Sequence, residues 1–222
     1  MKEELKTWLQ EVKTMCNDYG RVINMDYYVF QTAMPEEQPN LLILNPHPGM
    51  VYPFRFHDED DTLSVGVNIY SVLNPHPSYK LVTSRLSRVF STPRLQAAVE
   101  TATSINVHYF NTTHRKLART PAGRIIRPYC EKKTAELIRS LNPKRILVMT
   151  IDGADLKTAG MENVCGIGSY MKTGTICGIK AIAMPSPASY WAFTNSNSVN
   201  MGKKIEQYLD DTAPQKEGEF MF

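Results

Sequence analysis

Residues 41–49 read Leu-Leu-Ile-Leu-Asn-Pro-His-Pro-Gly, and the fold turns on how they are understood. Leu41, Leu42, Ile43 and Leu44 are four aliphatic side chains in a row, set between the loop pairs Pro39-Asn40 and Asn45-Pro46. A short apolar run bounded by turn residues is the pattern of a strand buried on both faces. Pro46 and Pro48 have no N–H to give a ladder, and each biases the residue before it away from helix. The strand therefore stops at a rigid turn that projects Asn45 and His47 from its carboxyl end, where open α/β sheets bind ligands. A strand-ending turn without function fits the same residues.

Outward from this stretch, the chain alternates strands with helices. Residues 105–110 (INVHYF), 144–150 (KRILVMT) and 176–183 read as three further strands. Leu5, Trp8, Leu9, Val12 and Met15 recur at helical spacing, which predicts an amphipathic helix over 2–16 with Trp8 in the core. Further helices are expected at 81–90 and 95–103, interrupted at Pro93, and at 128–141, ending before Asn142-Pro143. A short helix follows Asp152-Gly153, and a last one spans 199–209 with Ser198 as its N-cap. Gly166, Gly168 and Gly174 mark turns, with room for a hairpin. Residues 46–78 form the least regular part, and loops this long within compact domains are often functional. Their acidic run, 57–61 (HDEDD), reads as a solvated turn, or alternatively as the source of an active-site carboxylate. Trp191 is expected in the core.

This alternation predicts an α/β protein: a three-layer α/β/α sandwich around a four-stranded, mostly parallel sheet. One domain over 1–211 with a disordered tail at 212–222 accommodates the 222 residues. A hydrophobic content of 42% and a charged content of 21% are ordinary for a globular protein. The net charge of +3 permits nucleic-acid binding without demanding it. No apolar run approaches the roughly 18 residues that span a bilayer. Residues 1–17 lack an apolar secretory core, so the cytoplasm is the expected location. Cys16, Cys130, Cys165 and Cys177 form no CxxC pair and read as free thiols rather than metal ligands. His47, His57 and His76 lack the spacing of a metal centre.

Four segments, in order, carry a family likeness: LLILNPHPG (41–49), YFNTTHR followed by TPAGR (109–124), NPKRILVMTIDGADLK (142–157) and AIAMPSPASYWAF (181–193). Together they resemble the uracil-DNA glycosylase superfamily, in particular its mismatch-specific uracil and thymine branch. Here His47-Pro48 is inserted into the family's Asn-Pro-Gly loop. No Asp stands beside Asn45 and no His leads the Met184 segment, unlike the fast uracil-specific branch.

The resemblance implies a monofunctional DNA glycosylase in base excision repair. It would hydrolyse the N-glycosidic bond of uracil, or of a mismatched or damaged pyrimidine, and leave an abasic site without metal or redox cofactor. Its partner would be DNA, double-stranded with a faulty base or single-stranded, and the protein would act as a monomer. Asn111 would recognise the flipped base, since an amide offers the donor and the acceptor that match a pyrimidine edge. Asn45 would hold the attacking water, and His47 is the alternative source of proton abstraction. Phe54 or Phe56 would wall the base pocket. Ser186 and Ser189 would hold flanking phosphates, and Tyr190 would fill the vacated stack. Arg115 and Lys116, with Arg119 and Arg124, would supply the basic footprint. Two rivals remain open: a nucleic-acid-binding protein without catalysis, and a hydrolase of free nucleosides with 46–78 as its lid.

Overall fold

The computed structural model describes residues 3–35, 38–49, 52–111 and 120–210. Helices α1 (Glu3–Ile23), α2 (Lys80–Val89), α3 (Pro93–Glu100), α4 (Pro121–Leu141), α5 (Gly153–Thr158) and α6 (Asn195–Leu209) pack around one sheet. Its strands are β1 (Leu41–Asn45), β2 (Thr103–Asn106), β3 (Arg145–Val148), β4 (Met161–Gly166), β5 (Lys172–Ile176) and β6 (Ile179–Ala183). Their order across the sheet is β2-β1-β3-β6-β5-β4.

Every residue of β1 is buried, as its unbroken apolar run requires. Successive side chains of a strand point to opposite faces, and the packing obeys this. Leu42, Leu44, Ile146, Val148, Ala181 and Ala183 face one core with α1 and α4. Leu41, Ile43, Leu147, Met149, Ile182 and Met184 face the other with α2, α3 and α6. The helices therefore cover both faces of a mixed α/β fold.

The expected four-stranded sheet is corrected to six. Its β2-β1-β3-β6 portion is parallel throughout, while β5 and β4 add an antiparallel pair. Residues 176–183 are not one strand, because Cys177 and Gly178 (φ 52° and 79°) make a two-residue turn between β5 and β6. Two left-handed residues are what a tight hairpin loop demands. Gly174 lies inside β5 rather than in a turn: a Cβ there would come within 2.4 Å of the Glu162 carbonyl oxygen. The hairpin turn is 167–171, between β4 and β5.

Helix boundaries shift for local reasons. Helix α4 begins seven residues earlier than the 128 start, because the Thr120 hydroxyl accepts from the Gly123 amide and Pro121 occupies the first turn. It runs through Pro128 at the expense of one internal hydrogen bond. Helix α6 is capped by Thr194 rather than Ser198, which is buried inside it. Trp8 is buried with Leu5, Leu9, Val12 and Cys16 along α1, as its periodicity requires.

Residues 28–31 cover the outer edge of β2, where the Asn106 amide donates to Val29 and the Gln31 amide to Ser104, both at 2.8 Å. At the opposite edge, β4 is broken by a bulge between Glu162 and Cys165. The cysteines are free thiols, with Cys16 and Cys130 buried. No described helix is long and apolar enough to cross a membrane. The expected tail at 212–222 lies outside the described residues.

Candidate functional site

Four parallel strands end on one edge of the sheet, and backbone hydrogen bonds hold their exits side by side. Met149 donates to Leu44 at 2.9 Å, Val107 to Asn45 at 2.8 Å, His108 to Pro46 at 3.0 Å and Met184 to Val148 at 3.0 Å. Asn45 and His47 leave β1 here, Asn111 follows β2, and Ser186, Ser189 and Tyr190 follow β6. Arg115, Lys116 and Arg119 lie outside the described residues. Arg124, on the first turns of α4, is exposed.

Asn45 is 4% exposed and its amide is engaged on both sides. Nδ2 donates to Ser104 Oγ at 2.9 Å and to the Ile105 carbonyl at 3.2 Å. Oδ1 accepts from the hydroxyl of buried Tyr70, a phenol whose pKa burial pushes well up. Asn45 thus joins β1, β2 and the long loop. A water on its carbonyl oxygen would have to use the second lone pair. His47 is half-buried beside it.

Asn111 presents the opposite condition. Its backbone N–H donates to the Asp26 carbonyl at 2.8 Å. Its side chain is 1% exposed, and neither Nδ2 nor Oδ1 has a hydrogen bond among the described residues. An unsatisfied buried polar group costs about 1–3 kcal/mol. A side chain that tolerates this in both of its polar atoms is unusual in a folded protein.

Three residues before Asn111, the His108 ring is buried, with Nε2 3.9 Å from Glu131 Oε1 on α4. Arg127, one turn earlier, approaches the same oxygen at 3.6 Å. Burial raises the Glu131 pKa above its ordinary value, against the opposing pull of Arg127.

Phe54 and Phe56 line up along α1. The Arg21 guanidinium lies over both rings, 5.9 Å from the Phe54 centroid and 5.4 Å from that of Phe56. Phe54 is half-buried, whereas Phe56 is 58% exposed. Tyr52 is linked to the Asn111 backbone through Asp26: its carbonyl accepts from the Asp26 amide at 3.0 Å, and the Asp26 carbonyl accepts from Asn111. The sequence offered no signal for Tyr52, Tyr70, His108 or Glu131, which lie far apart in the chain and match no motif.

The acidic run divides. Asp58, Glu59 and Asp60 are exposed, as a solvated turn requires, but His57 is buried between two carboxylates. Its Nε2 is 2.7 Å from Asp26 Oδ1 and its Nδ1 is 2.8 Å from Asp61 Oδ2. The ring packs on Tyr27 with centroids 4.4 Å apart. Burial opposes ionisation of Asp61, yet hydrogen bonds from the Leu63 amide and His57 bring its pKa below the ordinary value. The Asp61 carboxylate thus joins, through His57, the Asp26 residue whose carbonyl holds Asn111.

After β6, Ser186 closes a turn: its carbonyl accepts from the Ser189 amide at 2.8 Å and its hydroxyl from the Ala188 amide at 3.3 Å. Arg85 of α2 holds this loop by donating to the Pro187 carbonyl at 2.5 Å. Tyr190 is 75% exposed, and Trp191, expected in the core, is 51% exposed. The short turn that follows directs Ala192 and Phe193 inward instead.

A groove of about 1040 Å³ runs along α1 and 59–62, but none of the strand-end residues lines it. Among the described residues, no group of three or more His, Cys, Asp or Glu could hold a metal ion.

No family model and no curated protein matches the chain.

Proposed function

We propose that this chain is a DNA glycosylase-like hydrolase that takes a flipped pyrimidine, uracil first, into the strand-end edge of its sheet. One observation carries the reading: the Asn111 amide is buried with both its donor and its acceptor unused among the described residues. A uracil edge presents a carbonyl beside an N–H, which complements that pair. Taking in such an edge would supply both missing hydrogen bonds. An amide N–H aimed at a base carbonyl also stabilises the charge that develops on the departing base, and removal of such a donor typically lowers a rate by ~10²–10³.

The sugar side of the reaction calls for water rather than a strong base. As the glycosidic bond breaks, positive charge develops on the sugar carbon, as in glycoside hydrolysis generally. Water would be placed by the second lone pair of Asn45 Oδ1 or by His47, both at the end of β1. The first lone pair of Asn45 is taken by Tyr70. That engagement favours a second reading, a protein that binds a flipped or unpaired base without cleaving it.

Base release separates the two. Oligonucleotides carrying U·G, T·G, U·A or single-stranded U are incubated with protein, and abasic sites are read as alkali-labile breaks. Cleavage by the wild type that Asn111→Ala abolishes supports the glycosylase. Retained base in every substrate at stoichiometric protein, with Asn111-dependent binding, supports the binding-only protein. Absence of both overturns the proposal.

A further inference from the structure

The β4–β5 hairpin lengthens the edge on which the candidate site lies. Because β5 runs antiparallel to β6, Lys172 pairs with Ala183. The 167–171 turn consequently stands beside the 184–191 loop. Tyr170 and Trp191 meet there edge to face, with ring centroids 5.6 Å apart and planes at 62°. Whichever ring presents its edge, an edge-to-face pair leaves at least one face of Trp191 open, and Trp191 is half exposed.

Three cations belong to or touch the segments that carry this pair. Arg85 holds the Pro187 carbonyl, Lys172 donates to the Ile151 carbonyl at 2.9 Å, and the Lys204 stem lies against Gly168. None of the three is in an ion pair among the described residues. The strongly exposed hydrophobic residues of the two segments are Tyr190 and Trp191, with no aliphatic side chain among them. An open aromatic face in segments that carry unneutralised cations fits unpaired bases on a phosphate backbone, since every base has a π-face.

We infer that Trp191, oriented by Tyr170, is a stacking platform for a second, unpaired nucleobase of single-stranded DNA, outside the Asn111 pocket. The inference rests on the proposed nucleic-acid function but on different residues. Lys172 and Lys204 meet the phosphates of this neighbouring stretch. The chain then grips two nucleotides of one strand, one by its edge and one by its face.

The chain has two tryptophans, and Trp8 is buried, so quenching of fluorescence by added DNA reports on Trp191. Wild-type protein is titrated with an undamaged thymidine oligonucleotide, with an abasic sugar–phosphate oligonucleotide of equal length, and with duplex DNA. The platform predicts quenching by the first alone. Trp191→Ala binds it about tenfold more weakly, as loss of one stacked base implies, and Tyr170→Ala shows part of that loss. Equal affinity of wild type and Trp191→Ala, no binding of single-stranded DNA, or equal quenching by the abasic strand overturns the inference. Base release run in parallel keeps the two readings apart. Quenching without release leaves the platform standing alone, and Asn111-dependent release with unimpaired Trp191→Ala leaves the glycosylase alone.

Discussion

Asn111 hangs from Asp26: its backbone N–H donates to the Asp26 carbonyl at 2.8 Å. The Asp26 carboxylate is in turn fixed 2.7 Å from the buried ring of His57. The residue proposed to read a base is therefore held by a network that includes Asp61 and Asn17. Asn17 binds the His57 backbone on both sides, with Nδ2 2.8 Å from its carbonyl and Oδ1 3.2 Å from its amide.

Removing the ring tests that coupling. His57→Ala leaves the Asp26 carboxylate buried without its partner, a change expected to destabilise the fold by about 3–5 kcal/mol. Urea unfolding measures it. At temperatures where the variant is still folded, the proposed base release is expected to fall as well, through the loosened support of Asn111. Unchanged stability would show that the network does not brace the site.

Asn111 itself behaves in the opposite sense. Asn111→Leu replaces two unsatisfied polar atoms by an apolar side chain of similar size, so stability is expected to rise by about 1 kcal/mol. Base recognition is lost at the same time. Urea midpoints beside oligonucleotide binding check both arms, and a marked loss of stability would mean that the amide has a structural partner.

Tyr70→Phe deletes the hydroxyl that caps Asn45 Oδ1. A buried acceptor losing its donor costs about 1–3 kcal/mol, again read by urea unfolding. Oligonucleotide affinity should remain, because Tyr70 acts through Asn45.

Glu131 sets a pH dependence. Its folded pKa is raised by burial above the ordinary 4.5, so its protonated form is the one that folding favours. The stability it lends is complete below that ordinary value and is lost as pH rises through the raised one. Asp61 has the reverse sign: its folded pKa lies below 3.8, and its contribution is present above that value and lost as pH falls through the lowered one. Glu131→Gln should therefore reduce the fall in stability above 4.5, and Asp61→Asn should reduce the fall on the acid side. Urea midpoints at a series of pH values test both.

The strand-end edge could be read from residues because it depends on local pattern. Leu41–Leu44 is too short and too apolar for anything but a covered strand, and Pro46 and Pro48 fix where it stops. The second strand was harder to bound: 105–110 reads as strand, whereas β2 is Thr103–Asn106 and Asn111 lies five residues beyond its end. The hairpin was harder to read. Cys177-Gly178 is a weak turn signal inside an apolar run, and Gly174 looks like a turn although it permits a close strand approach. Trp191 lies outside although hydrophobicity alone points it inward, because the short turn decides which of Trp191, Ala192 and Phe193 is buried. The Asp26–His57–Asp61 contact joins residues 31 and 4 positions apart in sequence. No periodicity encodes the longer link, so the sequence does not say which residues of the acidic run turn inward.

The two margins of the sheet have a bearing on behaviour at high concentration. A flat outer strand is a template on which another chain can add. Here residues 28–31 already take hydrogen bonds along β2, and the bulge with left-handed Asn163 (φ 53°) kinks β4. One border is shielded and the other warped. Strand-by-strand growth into fibrous aggregates thus meets resistance at both ends.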